Sequence, residues 1–225
     1  MSVKPPVIAI DGPVGSGKGT ISRVLARSLG WHLLDSGALY RLVALKIMQR
    51  KMLLEDTSAI VDIAMTMDIS FSDIDKKEQV FLDSEDVTLD LRTEDCGSIA
   101  SAIASKADLR LALLKRQRTF LRLPGLIADG RDIGSVVFPD AFLKIFLTAS
   151  AEERALRRYN QLKEKGINVS LPDVFQKIVM RDERDINRKV APLKAASDAQ
   201  IIDSTGSTPE ETVDEILVRL KLLGI

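Results

Sequence analysis

The chain has 225 residues, 45% of them hydrophobic and 28% charged, which suits one globular domain with inserted lobes. Its 32 basic and 32 acidic side chains cancel, which excludes the global basic field that attracts a nucleic-acid polymer or a membrane surface. The single cysteine, Cys96, excludes an intrachain disulfide, and no apolar run reaches the roughly 18 residues a membrane-spanning helix needs. A cytoplasmic protein is therefore expected, and the opening "MSVKPPVIAIDG" contains no apolar stretch like a signal peptide.

In chain order, "VIAIDG" reads as a buried strand ending at Asp11. The Gly-rich run Gly12–Thr20 follows, and then a helix with Ile21, Val24, Leu25 and Leu29 on one face. "HLLDSG" is a second strand, ending at Asp35. From Lys51 to Asp95 there are 4 basic and 13 acidic residues, and inside this acidic stretch residues 68–92 carry β-branched and aromatic residues in partial alternation. They predict a small antiparallel insert. "LIADG" ends a further strand at Asp129, "FLKIFLTAS" ends one at Thr148, and "QIIDSTG" ends one at Asp203. Ser-x-x-acid sequences at Ser150, Ser170 and Ser207 predict helix starts, because the serine can accept from a free amide and the acid suits the positive helix end. The last helix places Val213, Ile216, Leu217 and Leu220 on one face. Continuous apolar strands alternating with amphipathic helices predict an α/β fold, a parallel sheet covered by helices on both faces. Ligands bind beyond the carboxyl ends of such strands, where the four Asp endings would line one rim. Each Asp-plus-small ending is also an ordinary turn signal.

"GPVGSGKGT", from Gly12 to Thr20, sits between a strand and a helix, the context a P-loop requires. The amides of Gly12, Gly15 and Gly17, with the helix N-terminus, would cradle phosphate oxygens, Lys18 would reach the β- and γ-phosphates, and Pro13, Val14, Ser16 and Gly19 complete the loop. The usual Ser or Thr after the lysine is replaced by Gly19, with Thr20 next. Either Thr20 serves Mg²⁺, or the metal keeps mainly water and phosphate oxygens, which suits an ion that dehydrates reluctantly. Asp129 fits either the holding of metal-bound water or a turn, and Asp35 reads the same way.

From Ser150 to Ala195 there are 11 basic and 7 acidic residues. Arg154, Arg157 and Arg158 share one helical face, and "RDERDINR" puts Arg181, Arg184, Asp185 and Arg188 on another. Like charges four apart cost a few tenths of a kcal/mol on a bare helix. Such stripes make sense where phosphates sit between them, because guanidinium forks match the charge on a transferring phosphoryl group. A solvated face with local pairs such as Arg181–Asp185 is the plainer alternative. No Asn-Lys-x-Asp guanine reader occurs.

"DGPVGSGKGT", "HLLDSGALYR", "LIADGRDIGSVVFPDA" and "RDERDINRKVAPL" together resemble the signatures of the bacterial cytidylate kinases, within the nucleoside-monophosphate kinase superfamily. The likeness spans essentially the whole chain. It implies a single kinase domain over residues 1–225, with a mixed α/β monophosphate-binding lobe over 36–105 and a short helical lid over 152–170. It implies ATP as phosphoryl donor with Mg²⁺, and CMP or dCMP as acceptor. By the same resemblance Gly12 to Thr20 hold ATP, and Arg154, Arg157 and Arg158 belong to the lid that closes over it. Ser36 touches the cytosine, Arg41 the monophosphate and Ser101 the sugar. Arg110 and Asp132 read the base, Arg131 and Arg188 clamp phosphates, and Arg181 and Asp185 meet the ribose hydroxyls. Lys18, Arg131, Arg158 and Arg188 are the expected catalytic cations.

The chemistry of cytosine points the same way. Its N4 amine donates, so a carboxylate such as Asp132 accepts from it, whereas uracil presents an acceptor there. An unpaired buried polar group costs roughly 1–3 kcal/mol, which predicts preference for CMP and dCMP over UMP. Closure of lobe and lid is expected in order to exclude water from the transfer. A monomer with small nucleotides as its partners is the expected state. Two other readings share the P-loop: a kinase of another small substrate, and a non-catalytic ATP-binding regulator.

Overall fold

The computed structural model describes residues 4–74, 77–164 and 166–224. Its strands are β1 (Val7–Asp11), β2 (His32–Asp35), β3 (Ile69–Ile74), β4 (Lys77–Leu82), β5 (Glu85–Asp86), β6 (Leu126–Gly130), β7 (Leu143–Thr148) and β8 (Gln200–Asp203). Its α-helices are α1 (Lys18–Leu29), α2 (Ser36–Gln49), α3 (Thr57–Thr66), α4 (Glu94–Ile103), α5 (Ala107–Arg118), α6 (Ala151–Glu164), α7 (Leu171–Asn187) and α8 (Pro209–Leu222). The chain divides into two units, Met1–Asp35 with Arg118–Ile225, and Ser36–Gln117. The second takes in α5 beyond the 36–105 span expected of the inserted lobe.

The first unit is built on a five-stranded parallel sheet of order β2-β6-β1-β7-β8. Every residue of β1 and β6 is buried, as expected of central strands covered on both faces. One face packs Ile8, Ile10, Ile127, Ile145, Leu147 and Ile202 against Ile21 and Leu25 of α1 and Val213, Ile216 and Leu220 of α8. The α/β sheet predicted from the strand pattern is thus the observed one. Its register aligns the strand ends, with Asp35 opposite Asp129, Asp11 opposite Gly130, and Thr148 opposite Asp203. The Asp-terminated strands therefore do share one rim. Helices α6 and α7 pack on each other through Ala155, Leu162, Val174 and Ile178, with Val14 of the loop after β1 against them.

Two of the three predicted helix starts are capped by the expected serine: Ser150 Oγ accepts from Glu153 N, and Ser170 Oγ from Asp173 N, both at 3.2 Å. The third needs correction. The cap of α8 is Thr208, not Ser207, and it forms a reciprocal capping box with Glu211. Pro209 favours the first helical position, where its fixed φ fits and its missing N–H costs nothing, which moves the cap one residue on.

In the second unit α2 is buried almost all round, through Leu39, Leu42, Val43, Ala44 and Ile47. Cys96, Ala100 and Ile103 of α4 are buried in the same unit. Strands β3, β4 and β5 form an antiparallel sheet within the stretch predicted to hold one. No helix among the described residues is long and apolar enough to cross a membrane.

Candidate active site

The run after β1 folds as a phosphate-type loop into the N-terminus of α1. Gly12 has φ 152°, and a Cβ there would lie 2.0 Å from the Leu147 carbonyl oxygen, so no other residue fits without moving β7. Gly15 has φ 77°, and its Cα faces Arg154, whose Cβ would be 3.1 Å from an added Cβ. Lys18 Nζ donates to the Pro13 carbonyl at 2.7 Å and lies 3.4 Å from Ser16 Oγ. Burial, then the nearby charge of Arg131, pushes the Lys18 ammonium down to about 7, while Asp129 and Asp11 oppose that shift. Arg181 adds a further positive influence on Lys18. The basic groups of three sequence motifs therefore meet electrostatically at one lysine. Thr20 is exposed on the first turn of α1.

Two carboxylates lie beside this loop. Asp129 is buried, and burial followed by the charge of Asp35 raises its pKa well above the usual carboxylate range. A Cβ on Gly19 would lie 3.5 Å from Asp129 Oδ2 and 3.6 Å from Arg23 Nη1, so the position where a P-loop usually carries its hydroxyl faces a carboxylate. Among the described residues no group of three or more His, Cys, Asp or Glu is placed to hold a metal. The donor set still fits Mg²⁺, a hard ion that keeps several waters and takes oxygen ligands from phosphates plus one or two carboxylates.

The candidate arginines of the first unit fall into two sets. Arg131 Nε donates to Asp185 Oδ2 at 2.8 Å, and Arg188 Nη2 lies 3.6 Å from Asp132 Oδ1. These pairs bring "DGRD" and "RDERDINR" together, with Asp132 and Asp185 both buried. Helix α7 ends at Asn187, so Arg188 does not lie on the helical face that its spacing predicts. It has extended backbone at the C-cap, and its Nε donates to the Ala191 carbonyl. Arg184 is exposed.

The second set is on α6. Arg154 is buried and bound to protein oxygens: Nε to the Ala149 carbonyl at 2.9 Å, Nη1 to the Val14 carbonyl at 3.0 Å and to Asp182 Oδ2 at 2.6 Å. Arg157 donates to Glu153, to Ser204 through both its hydroxyl and its carbonyl, and to the Ser207 carbonyl. Arg158 is partly buried on the same helix. Helical spacing put these three on one face but could not show that Arg154 ties α6 to α7 and to the phosphate loop.

In the second unit Arg41 Nη1 donates to the Leu91 carbonyl at 2.6 Å, and its guanidinium lies over Gly97, where a Cβ would meet Nη1 and Nη2 at 3.2 Å. Arg110 Nη1 donates to the Ala104 carbonyl at 3.2 Å, with its guanidinium 5.9 Å from the centre of the Tyr40 ring. Ser36 is buried at the start of α2. The Ser101 hydroxyl is buried with no hydrogen-bond partner among the described residues, which suits a group that meets a ligand.

Sequence reasoning gave no role to Asp182, Ser204 and Tyr40, and placed Asp11 on the rim without its contact to the turn after Asp132. Each lies within or beside a quoted motif, but their partners are 28 to 188 residues away. Local spacing carries no signal for such pairs. His32, at the start of β2, is exposed, with Nε2 3.0 Å from the Leu123 carbonyl oxygen.

Residues 8–222 match the family model described as cytidylate kinase. The chain is 52% identical over 219 residues to a cytidylate kinase of Shewanella sp. (strain W3-18-1), covering 96% of this chain and 94% of the relative. It is also 52% identical over 212 residues to one from Aeromonas salmonicida (strain A449), covering 94% and 92%. A crystal structure of an uncharacterized protein from Eubacterium ventriosum ATCC 27560 is similar in fold, with a TM-score of 0.53, 14% identity, and coverage of 97% of this chain and 99% of that one.

Proposed function

The chain belongs to the cytidylate kinase family, and from that premise we propose that it transfers the γ-phosphoryl group of ATP to a 5′-phosphate oxygen of CMP or dCMP. A bond forms between the acceptor oxygen and the γ-phosphorus, the bond from that phosphorus to the β–γ bridging oxygen breaks, and ADP leaves with CDP or dCDP. The chain is an ATP-dependent nucleoside-monophosphate kinase and needs no protein nucleophile, because the acceptor phosphate is already anionic. Its work is to align two mutually repelling anions and neutralise the charge between them.

The observation that carries this reading is the pair of contacts Arg131–Asp185 and Arg188–Asp132, together with the charges of Arg131 and Arg181 acting on Lys18. In the proposed site the loop amides and the α1 N-terminus take the ATP phosphates, and Lys18 exchanges the Pro13 carbonyl for a phosphate oxygen. Arg131, Arg158 and Arg188 neutralise the transferring group. Asp132 accepts from the cytosine amine, while Arg181 and Asp185 meet the ribose. Of the second unit, Arg41 takes the monophosphate, Ser101 the sugar, and Ser36 and Arg110 the base. Mg²⁺ would be held by phosphate oxygens together with Thr20 or with water that Asp129 accepts from, and would supply charge neutralisation for the transfer. The lid is the segment 152–170, which includes most of α6.

The test is coupled ADP release with ATP over a panel of nucleoside monophosphates. CMP and dCMP are expected to give the highest kcat/KM, with ATP hydrolysis in their absence far slower. Preference for AMP, GMP or UMP, or no turnover with CMP, defeats the reading.

A further inference from the structure

The turn that carries Asp132 is held from three sides by residues the transfer itself does not use. After Asp132 the chain makes one turn of π-helix over Ile133–Val137, a rare conformation that recurs at functional sites. The Asp132 side chain does not cap this turn. Asp11, at the end of β1, caps it instead: its Oδ1 accepts from Ile133 N and its Oδ2 from Gly134 N, both at 2.8 Å. These are the two amides directly after Asp132. At the other end Arg118 Nε donates to the Val137 carbonyl at 2.9 Å and Nη2 to the Val136 carbonyl at 3.3 Å. Beneath the turn a Cβ on Gly134 would meet the Lys144 stem at 3.2 Å and the Ala9 Cβ at 3.5 Å. Lys144 is itself pinned by both oxygens of Asp198, at 2.9 and 2.8 Å.

We infer that Asp11 is a positioning residue for base recognition: by fixing the amides of Ile133 and Gly134 it sets the direction in which Asp132 presents its carboxylate, and so helps the enzyme choose cytosine over uracil without touching the nucleotide. This rests on the reading of Asp132 as the base reader. A carboxylate 4% exposed is costly to keep, and burial raises the Asp11 pKa to about 6 despite the two amide donors. A cost of that kind is tolerated where it fixes a backbone that must not move.

The experiment is steady-state kinetics with CMP and with UMP for the intact chain and for Asp11→Asn, Asp11→Ala, Asp132→Ala and the Asp11→Ala/Asp132→Ala double variant. Asn keeps the volume and one acceptor but turns an N–H₂ toward the second amide. The CMP/UMP ratio in kcat/KM is expected to fall about threefold in Asp11→Asn and about tenfold in Asp11→Ala, chiefly through KM for CMP. In the Asp132→Ala background Asp11→Ala should lower the ratio no further. If Asp11→Ala fails to fold, Asp11→Asn carries the test. A folded Asp11→Asn with the unaltered ratio, while Asp132→Ala loses it, overturns the inference and leaves the base reader standing. So does an equal loss for CMP and UMP, which marks a merely structural role, and so does a change confined to KM for ATP, which marks an effect through Lys18. If Asp132→Ala itself keeps the ratio, the base reader falls and the inference falls with it.

Discussion

The Asp132 carboxylate lies 3.6 Å from the Arg188 guanidinium, with both side chains almost fully buried, so the group proposed to read the base is also paired with a cation proposed to neutralise the phosphates. Removing the carboxylate should therefore affect two things of different size. Asp132→Ala should lower the CMP/UMP ratio in kcat/KM by about tenfold, the worth of one buried hydrogen-bonding group. It should also reduce kcat for both substrates by a common factor, because Arg188 loses its partner. Measured kinetics with an unchanged ratio would remove Asp132 as the reader.

Lys18 gives a stability profile with a definite sign. Its pKa falls from 10.5 to about 7, through burial first and Arg131 second. Between those values the unfolded chain holds a proton that the folded chain does not, so stability rises with pH from about 7 to about 10. The contribution is fully present above the unfolded value and is lost as pH falls through the folded one. Lys18→Met should flatten this rise in urea unfolding measured over that range, and should abolish most phosphoryl transfer. A variant as pH-dependent as the intact chain would contradict the assignment.

The Arg154–Asp182 ion pair links α6 to α7, with side-chain exposures of 7% and 14%. Arg154→Ala leaves the partly buried Asp182 without its cation, a loss of about 2 kcal/mol. Chemical denaturation should show that drop, and a double-mutant cycle with Asp182→Asn should show strong coupling. Additivity of the two substitutions would mean that the contact contributes nothing.

Ser101 separates binding from folding. Its buried hydroxyl has no partner among the described residues, so Ser101→Ala should change stability by less than about 0.5 kcal/mol. kcat/KM for CMP should fall by about tenfold if the hydroxyl meets the sugar. Unchanged kinetics would leave Ser101 as a packing residue.

The strands, the phosphate loop and the family were legible in the residues themselves, because period, glycine spacing and strand-end aspartates are local signals. The sequence determined a phosphate loop with glycines at 12, 15 and 17, buried strands that end in aspartate, and two arginine-rich helices. Some local readings still failed by one position. Ser207 lost the cap of α8 to Thr208 because Pro209 set the frame, and Arg188 fell just past the end of α7. What only the tertiary structure decided was the partner of each charge. Arg154 pairs with Asp182, Arg131 with Asp185, and Asp11 with the amides after Asp132, across 28 to 123 residues. A buried charge must find a counter-charge or a hydrogen bond wherever the fold offers one, and that choice depends on which strand ends and helix faces meet, not on their order along the chain.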